Sequence, residues 1–406
     1  MAQLKLELQG MKNLELIQKG QRAPGRVFVC QGSPRELGLA QGDCLRDRIA
    51  QSRQALAQLE GFRLEQPWWL PYPLFRWLAE RKARRLLAGP LARDFPEMDV
   101  RLRGITEGAG LGLEALYLLN ALEPLLASVR GRTVAPCLGA CSAVAVTAER
   151  SGIGEPIIAR NFDYLPLIQP FYTVRDTRPQ GRLRSLDFTV APLAGAIDGM
   201  NEKGLCITYN YAFTTDTPSA LTGTLSMVIA ETLERCGTVT EAVDWITTRP
   251  RWGGGILMLA DATGDVASLE LSSTRSRLRR PAPGQDVLFH TNAFSCSEMC
   301  EIQVPPDAVF NERAPTALRG RRVLESSEVR DRRLTELLDR PGLLDPDELA
   351  ALMADHGPDG VPGDYTLCVH GSYWYTTACL QFFPRSRRMR VAYSTACRAR
   401  YEETQL

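Results

Sequence analysis

Residues 139–144 read Gly139-Ala140-Cys141-Ser142-Ala143-Val144, and the fold turns on how this stretch is taken. Gly139 and Ala140 close a loop of mostly small residues, GRTVAPCLGA at 131–140. Cys141 then opens CSAVAV, a run that reads as a buried strand. A cysteine at the first position of a buried strand, at a loop junction, is where a chain break would leave it as a new N-terminus. A free α-amine has a pKa near ~8 and a thiol near ~8.5. One residue then supplies both nucleophile and base and needs no histidine. Taken in isolation, the same position also suits an inert core cysteine.

Downstream of Cys141 the chain is a series of strand-like runs. PIIARNF, RSLDFTV, GLCITYN, GILMLAD and VASLEL are rich in β-branched residues and separated by Ser-Gly, Asp-Gly and Thr-Gly turns. Helical patterns follow at 224–247 and 316–355. Two strands, YTLCVHGSYWYTTACLQFF (365–383) and RMRVAYS (388–394), close the chain. Strands, then helices, then strands indicate antiparallel sheet with helices on its faces, not βαβ alternation. Upstream, RVFVC (26–30) reads as a strand, 34–59 as a helix and 111–129 as a buried helix. Between them lies PWWLPYPLFRWL, Pro67 to Leu78, with three of the six Trp, followed by a basic stretch from Arg81 to Arg85. It reads as a Pro-broken loop and helix packed on the body. The alternative is an apolar ligand contact or a membrane-surface contact through Trp68–Trp77.

Composition narrows the function classes. The chain of 406 residues carries 48 Lys+Arg against 47 Asp+Glu, so no bulk charge favours nucleic acid or an anionic membrane. The first twenty residues lack the roughly 7–15-residue apolar core of a secretory signal. No run approaches the ~18 apolar residues of a spanning helix. Eleven Cys cannot all pair, which indicates a reducing, cytoplasmic setting. Three His leave little for His-rich metal sites. Phosphate loops, dinucleotide fingerprints and HExxH are absent. Zinc held by the C-x-x-x-C pairs Cys137–Cys141 and Cys296–Cys300 is disfavoured by their spacing, so no metal and no cofactor is expected. His356 and His370 read as surface or packed histidines.

The order GACSAVAV, ARNFDY (159–164), GMNEKGL (199–205) and HTNAF (290–294) closely resembles the N-terminal-nucleophile (Ntn) hydrolases. The nearest branch is the isopenicillin N acyltransferase type. Choloylglycine hydrolases, penicillin V acylases and acid ceramidases are similar but more distant. GSPRELGLAQGDCLRDRI resembles that branch's propeptide start, LYLLNALE its pre-cleavage helix and STACRARYEE its closing motif. The resemblance implies an α+β, four-layer αββα sandwich at 141–406, with residues 1–140 as a mainly helical pro-segment that stays bound after cleavage.

The resemblance also implies site residues. Cys141 matches the nucleophile, and Ala140–Cys141 the bond cut by autoproteolysis. Arg160 and Asp163 match the pair beside the nucleophile; the carboxylate can orient the terminal ammonium, and the guanidinium can lower the thiol pKa. Asn292 matches the oxyanion-hole Asn. Asn210 matches a second oxyanion or substrate group, whereas Asn201 reads as a turn residue. Arg319 resembles a late Arg that supports the site, with Arg322 as its competitor. A Cys141–His290 dyad is the runner-up chemistry. One departure is Ala140, where the branch commonly has Gly, since Ala permits fewer backbone conformations. The expected activity is hydrolysis or acyl transfer on a small-molecule amide or acyl-CoA. The alternative is an uncleaved binding or scaffold relative of the same fold.

Overall fold

The computed structural model describes residues 27–129 and 139–406; Cys137 and the first twenty residues lie outside them. Among the described residues the strands are β1 (Phe28–Gly32), β2 (Ser142–Val146), β3 (Ile157–Tyr164), β4 (Tyr172–Pro179), β5 (Ser185–Val190), β6 (Asp198–Asn201), β7 (Cys206–Tyr211), β8 (Gly255–Ala260), β9 (Val266–Leu271), β10 (Ser276–Arg279), β11 (Val287–His290), β12 (Tyr375–Phe383), β13 (Arg388–Ala392) and β14 (Glu402–Gln405). They form two sheets, ordered β1-β4-β5-β6-β7-β8-β9-β10 and β11-β2-β3-β12-β13-β14. The strand pairs are antiparallel except β1 with β4, which is parallel.

Side-chain alternation decides how the layers stack. In β2, Ala143 and Ala145 join Tyr172, Phe188 and Met258 in a core between the two sheets. Val144 and Val146 point the other way, onto Leu334, Leu338 and Leu349 of the helices Glu325–Leu338 and Pro346–Met353. The outer face of the larger sheet offers Ile207, Leu257 and Leu259. Val228 and Ile246 of the helices Leu225–Arg235 and Val239–Thr248 cover it, with Leu102 of the helix Pro96–Ala109 in the same core. Each fully buried Leu or Ile contributes about 1.5–3 kcal/mol to holding these layers. The result is helix, sheet, sheet, helix: an α+β, αββα sandwich.

The N-terminal helices dock closely. Helices Pro34–Cys44 and Pro96–Ala109 meet through Gly38, Gly42, Gly104 and Gly108; a Cβ on Gly38 would lie 2.0 Å from the Arg101 carbonyl oxygen. Gln41 is buried between them and the sheet, donating to the carbonyls of Ala191 at 2.9 Å and Leu193 at 2.8 Å.

Two local expectations change. The helix expected over 34–59 is two helices, Pro34–Cys44 and Arg46–Ala55, joined at Leu45. The strand expected over 365–383 exists only as Tyr375–Phe383. Gly371 turns the preceding segment, where a Cβ would sit 2.3 Å from Asp364 Oδ1, and its N–H donates to the Trp374 carbonyl. The Trp-rich segment holds Trp68 at 96% exposure, with Trp69 and Trp77 also exposed. Among the described residues, no helix is long and apolar enough to cross a membrane.

Candidate active site

Cys141 immediately precedes β2, and by parity with Ala143 and Ala145 its side chain enters the space between the sheets. It is 2% exposed and forms part of the wall of a cavity of about 340 Å³. Its backbone N–H donates to Asn292 Oδ1 at 2.9 Å. Arg160, on the inter-sheet face of β3, donates from Nη2 to Cys141 Sγ at 3.3 Å. The same guanidinium donates from Nε to Asn210 Oδ1 at 3.1 Å, from Nη1 to Asp198 Oδ2 and from Nη2 to the Tyr209 carbonyl. Burial pushes the Cys141 thiol up to about 11, with Arg160 pulling it down and Asp163 adding to the rise. Joined to Ala140, the cysteine is therefore a protonated thiol near neutral pH.

Asp163 lies three residues beyond Arg160 and on the opposite face of β3. Its Oδ1 accepts from Thr376 Oγ1 at 2.6 Å, and its main-chain carbonyl accepts from the Ala140 N–H at 2.8 Å. Oδ2 is buried without a hydrogen-bond partner. Burial raises this carboxyl to about 7, opposed by Arg330, the Thr376 hydrogen bond and Arg160. Opposite Asp163, β12 shifts register between Thr376 and Ala378, a bulge that lets the Thr376 side chain reach across.

Sequence reasoning did not single out Arg330. It is fully buried, donating from Nη1 to the Cys141 carbonyl at 2.7 Å and to Ser142 Oγ at 2.8 Å, and from Nη2 to Asn292 Oδ1 at 2.9 Å. It stands 3.9 Å from Asp163 Oδ2. The available signal was helical spacing: Arg330 falls on the stripe of Ser326, Leu334 and Leu338, where an uncompensated Arg has no place. Arg319 is elsewhere, exposed, with its Nε donating to the Ala314 carbonyl at 2.9 Å. Arg322 pairs with Glu328 at the surface. Asp198 was also missed; burial raises its carboxyl to about 6 against the pull of Arg160.

The two asparagines differ. Asn292 Oδ1 holds the Cys141 N–H and Arg330, while Nδ2 donates to the Tyr211 carbonyl at 2.8 Å. An amide nitrogen carries two hydrogens, so one donor remains beyond that bond. Asn210 donates from Nδ2 to the Thr291 carbonyl at 2.9 Å and the His290 carbonyl at 3.5 Å. Its amide thus ties Arg160 to the end of β11. Asn201 fastens a turn, donating to the carbonyls of Leu233 and Cys236. His290 faces Ser268, with Nδ1 3.1 Å from Oγ, and burial drives its pKa well below the ordinary value. Cys141 Sγ has Arg160 and the Asp163 carbonyl as its contacts instead.

Ala140 is buried in an apolar cluster with Phe213, Phe310 and Trp374. Among the described residues Arg387 alone is a non-glycine with positive φ, so Ala140 needs no glycine conformation. Among the same residues, Cys141, Cys296 and Cys300 do not gather into a metal-binding group. The cavity wall is largely apolar, with Phe171, Val190, Leu193 and Trp252, and the N-terminal segment adds Leu56 and Glu123. Glu123 is half-buried, and desolvation pushes its carboxyl up to about 7. Trp68, Trp69 and Trp77 do not line this cavity.

Residues 150–362 match the family described as acyl-coenzyme A:6-aminopenicillanic acid acyl-transferase; the match begins nine residues after Cys141. Among solved structures, the chain resembles a Caenorhabditis elegans N-acylethanolamine-hydrolyzing acid amidase ortholog (14% identity, TM-score 0.41, 66% of this chain and 100% of that one). It also resembles a penicillin V acylase from Agrobacterium tumefaciens (14%, TM-score 0.40, 66% and 86%). A third is a mutant conjugated bile acid hydrolase from Clostridium perfringens (13%, TM-score 0.38, 66% and 92%). No curated protein matches the sequence significantly.

Proposed function

Since the chain belongs to the acyl-coenzyme A:6-aminopenicillanic acid acyl-transferase family, we propose that it is an autoproteolytic N-terminal-cysteine enzyme that hydrolyses or transfers an acyl group. The observation that carries this reading is the Cys141 thiol, 3.3 Å from Arg160 on the wall of the apolar cavity. In maturation, Sγ attacks the Ala140 carbonyl carbon. The C–N bond to Cys141 breaks, the nitrogen takes the thiol proton, and a thioester joins Ala140 to Sγ. Water hydrolyses that thioester, leaving a free thiol and the Ala140 carboxylate, with the released proton held on the new α-amine as an ammonium.

The site is arranged to receive this new terminus. The ammonium forms beside Asn292 Oδ1 and on the Asp163 side of β2, where Oδ2 has no partner. Asp163 and Asn292 then orient the amine, and Arg330 holds both in register. In turnover the terminus, having released its extra proton to solvent, takes the thiol proton as a neutral amine, and the thiolate, favoured by Arg160, attacks an amide or acyl-thioester carbonyl. The second Asn292 hydrogen donates to the oxyanion. The leaving amine or thiol takes the proton back, and water or an acceptor amine then releases the acyl group. Residues 1–140 remain as a bound small subunit, and a reducing, cytoplasmic setting keeps the thiol free.

Intact-mass measurement tests the reading. The wild type should give two fragments, the larger beginning at Cys141, and Cys141→Ala should give one. A wild-type chain that stays whole and resists thiol-reactive acyl probes would sink it and favour the scaffold alternative.

A further inference from the structure

The three histidines are His290, at the active-site end of β11, and His356 and His370, which meet on the other side of the smaller sheet. There the ligand atoms of His356, Cys368, His370 and Cys397 all lie within 4.8 Å of one another. His370 Nε2 stands 3.3 Å from Cys368 Sγ and 3.5 Å from Cys397 Sγ. The rings of His356 and His370 meet edge to face at 5.0 Å. Three chain segments deliver these groups: the end of the helix Pro346–Met353, the loop before β12, and the turn Ala396–Arg398 after β13.

We propose that His356, Cys368, His370 and Cys397 form a structural zinc site. Bond lengths of about 2.3 Å to sulfur and 2.0–2.1 Å to nitrogen place the ligand atoms of a tetrahedral zinc roughly 3.4–3.8 Å apart. Of the two sulfur–nitrogen distances, 3.5 Å lies within that range and 3.3 Å just below it. Two thiolates and two imidazoles are a soft, complete donor set that suits zinc and leaves no open position for catalysis. Two further observations point to a ligand. His356 Nε2 is buried without a hydrogen-bond partner. His370 has its other nitrogen, Nδ1, 2.8 Å from Tyr375 Oη, the outer contact that fixes a metal-bound imidazole with Nε2 toward the ion. Cys397 is exposed and gives the ion its route in.

The site also explains how the loop before β12 is held. Between Cys368 and His370 lies Val369, whose N–H donates to Thr376 Oγ1 at 2.8 Å. That hydroxyl in turn donates to Asp163 Oδ1. Zinc thereby fixes the segment that aims Thr376 at the active site, and it does so whatever reaction Cys141 performs.

The test uses the full chain, expressed without a polyhistidine tag and purified without chelators, with metals measured by mass spectrometry. The expected content is about one zinc per chain, lost in Cys397→Ser and in His356→Gln. Zinc-free wild type loaded with cobalt(II) should show the intense visible bands of a tetrahedral thiolate site, a readout that does not depend on any variant folding. Adding 1,10-phenanthroline should lower the melting temperature of wild type and leave Cys397→Ser unmoved. Folded wild type that holds under about 0.1 zinc per chain after incubation with zinc would overturn the proposal. So would variants that retain the metal, or a native Cys368–Cys397 disulfide found by peptide mapping.

Discussion

Replacing Arg330 by Gln removes a guanidinium that is fully buried and bonded to Cys141 O, Ser142 Oγ and Asn292 Oδ1 at 2.7–2.9 Å. It also strands Asp163, 3.9 Å away, whose Oδ2 has no hydrogen-bond partner. Breaking a buried charge pair by removing one partner costs about 3–5 kcal/mol. The lost hydrogen bonds overlap with that figure and are not added to it. Asp163 can relieve part of the loss by taking a proton, which its pKa of about 7 makes easy. Destabilisation should therefore be larger at pH 8 than at pH 6. Urea denaturation of Cys141→Ala with and without Arg330→Gln gives the number, and gel analysis of the cleavage-competent pair gives the maturation rate. Arg330→Lys should also fail, because one ammonium cannot reach the Cys141 carbonyl and Asn292 in the forked geometry of Arg. Arg319→Ala, at an exposed position, should stay within about 0.5 kcal/mol of wild type. An Arg330→Gln chain that matches wild type in urea midpoint and cleavage rate would refute the role given to this residue.

The same geometry sets other outcomes. Burial lifts the folded Asp163 carboxyl to about 7 from 3.8, so between those values the unfolded chain has released a proton that the folded precursor keeps. Stability from this group is full below pH 3.8 and lost as pH rises towards 7. The melting temperature of Asp163→Asn relative to its Cys141→Ala parent should therefore be higher at pH 8 than at pH 4, whatever the loss of the Arg330 contact costs at both; a difference that ignores pH would contradict the assignment. Desolvation pushes the Glu123 carboxyl on the cavity wall up to about 7, so KM for a neutral apolar substrate should rise as pH passes that value, and Glu123→Gln should flatten the profile. Trp68→Ala and Trp77→Ala, off the cavity, should leave acyl-chain preference unchanged, whereas Val190→Trp, which fills it, should shift kcat/KM towards shorter chains.

The strand pattern after Cys141 was legible because short runs rich in β-branched residues are separated by Gly-containing turns. Which face of β2 and β3 meets which core was not, since both faces are buried and no polar alternation marks them. Arg160, Asp163 and Asn292 could be placed beside Cys141 only through the resemblance, since no local spacing links β3 to β11 across the sheet. Arg330 was hidden for a different reason. In a helix with Arg at 330, 332 and 333, charge alone does not mark the one that turns inward; its place on the Leu334–Leu338 stripe does. Reading 365–383 as one strand also put Cys368 and His370 on a ladder, when the turn at Gly371 folds them back toward His356. Widely spaced ligands from three segments leave no compact motif to find.

The parallel pairing of β1 with β4 bears on how the molecule is made. Without the N-terminal segment, β4 would be the open edge of a sheet reduced from eight strands to seven, its N–H and C=O groups free to recruit β4 of another copy. Residues 141–406 synthesised alone should associate edge to edge through β4. In the proposed maturation, the segment ahead of Cys141 would serve as a built-in chaperone that stays paired through β1 after cleavage.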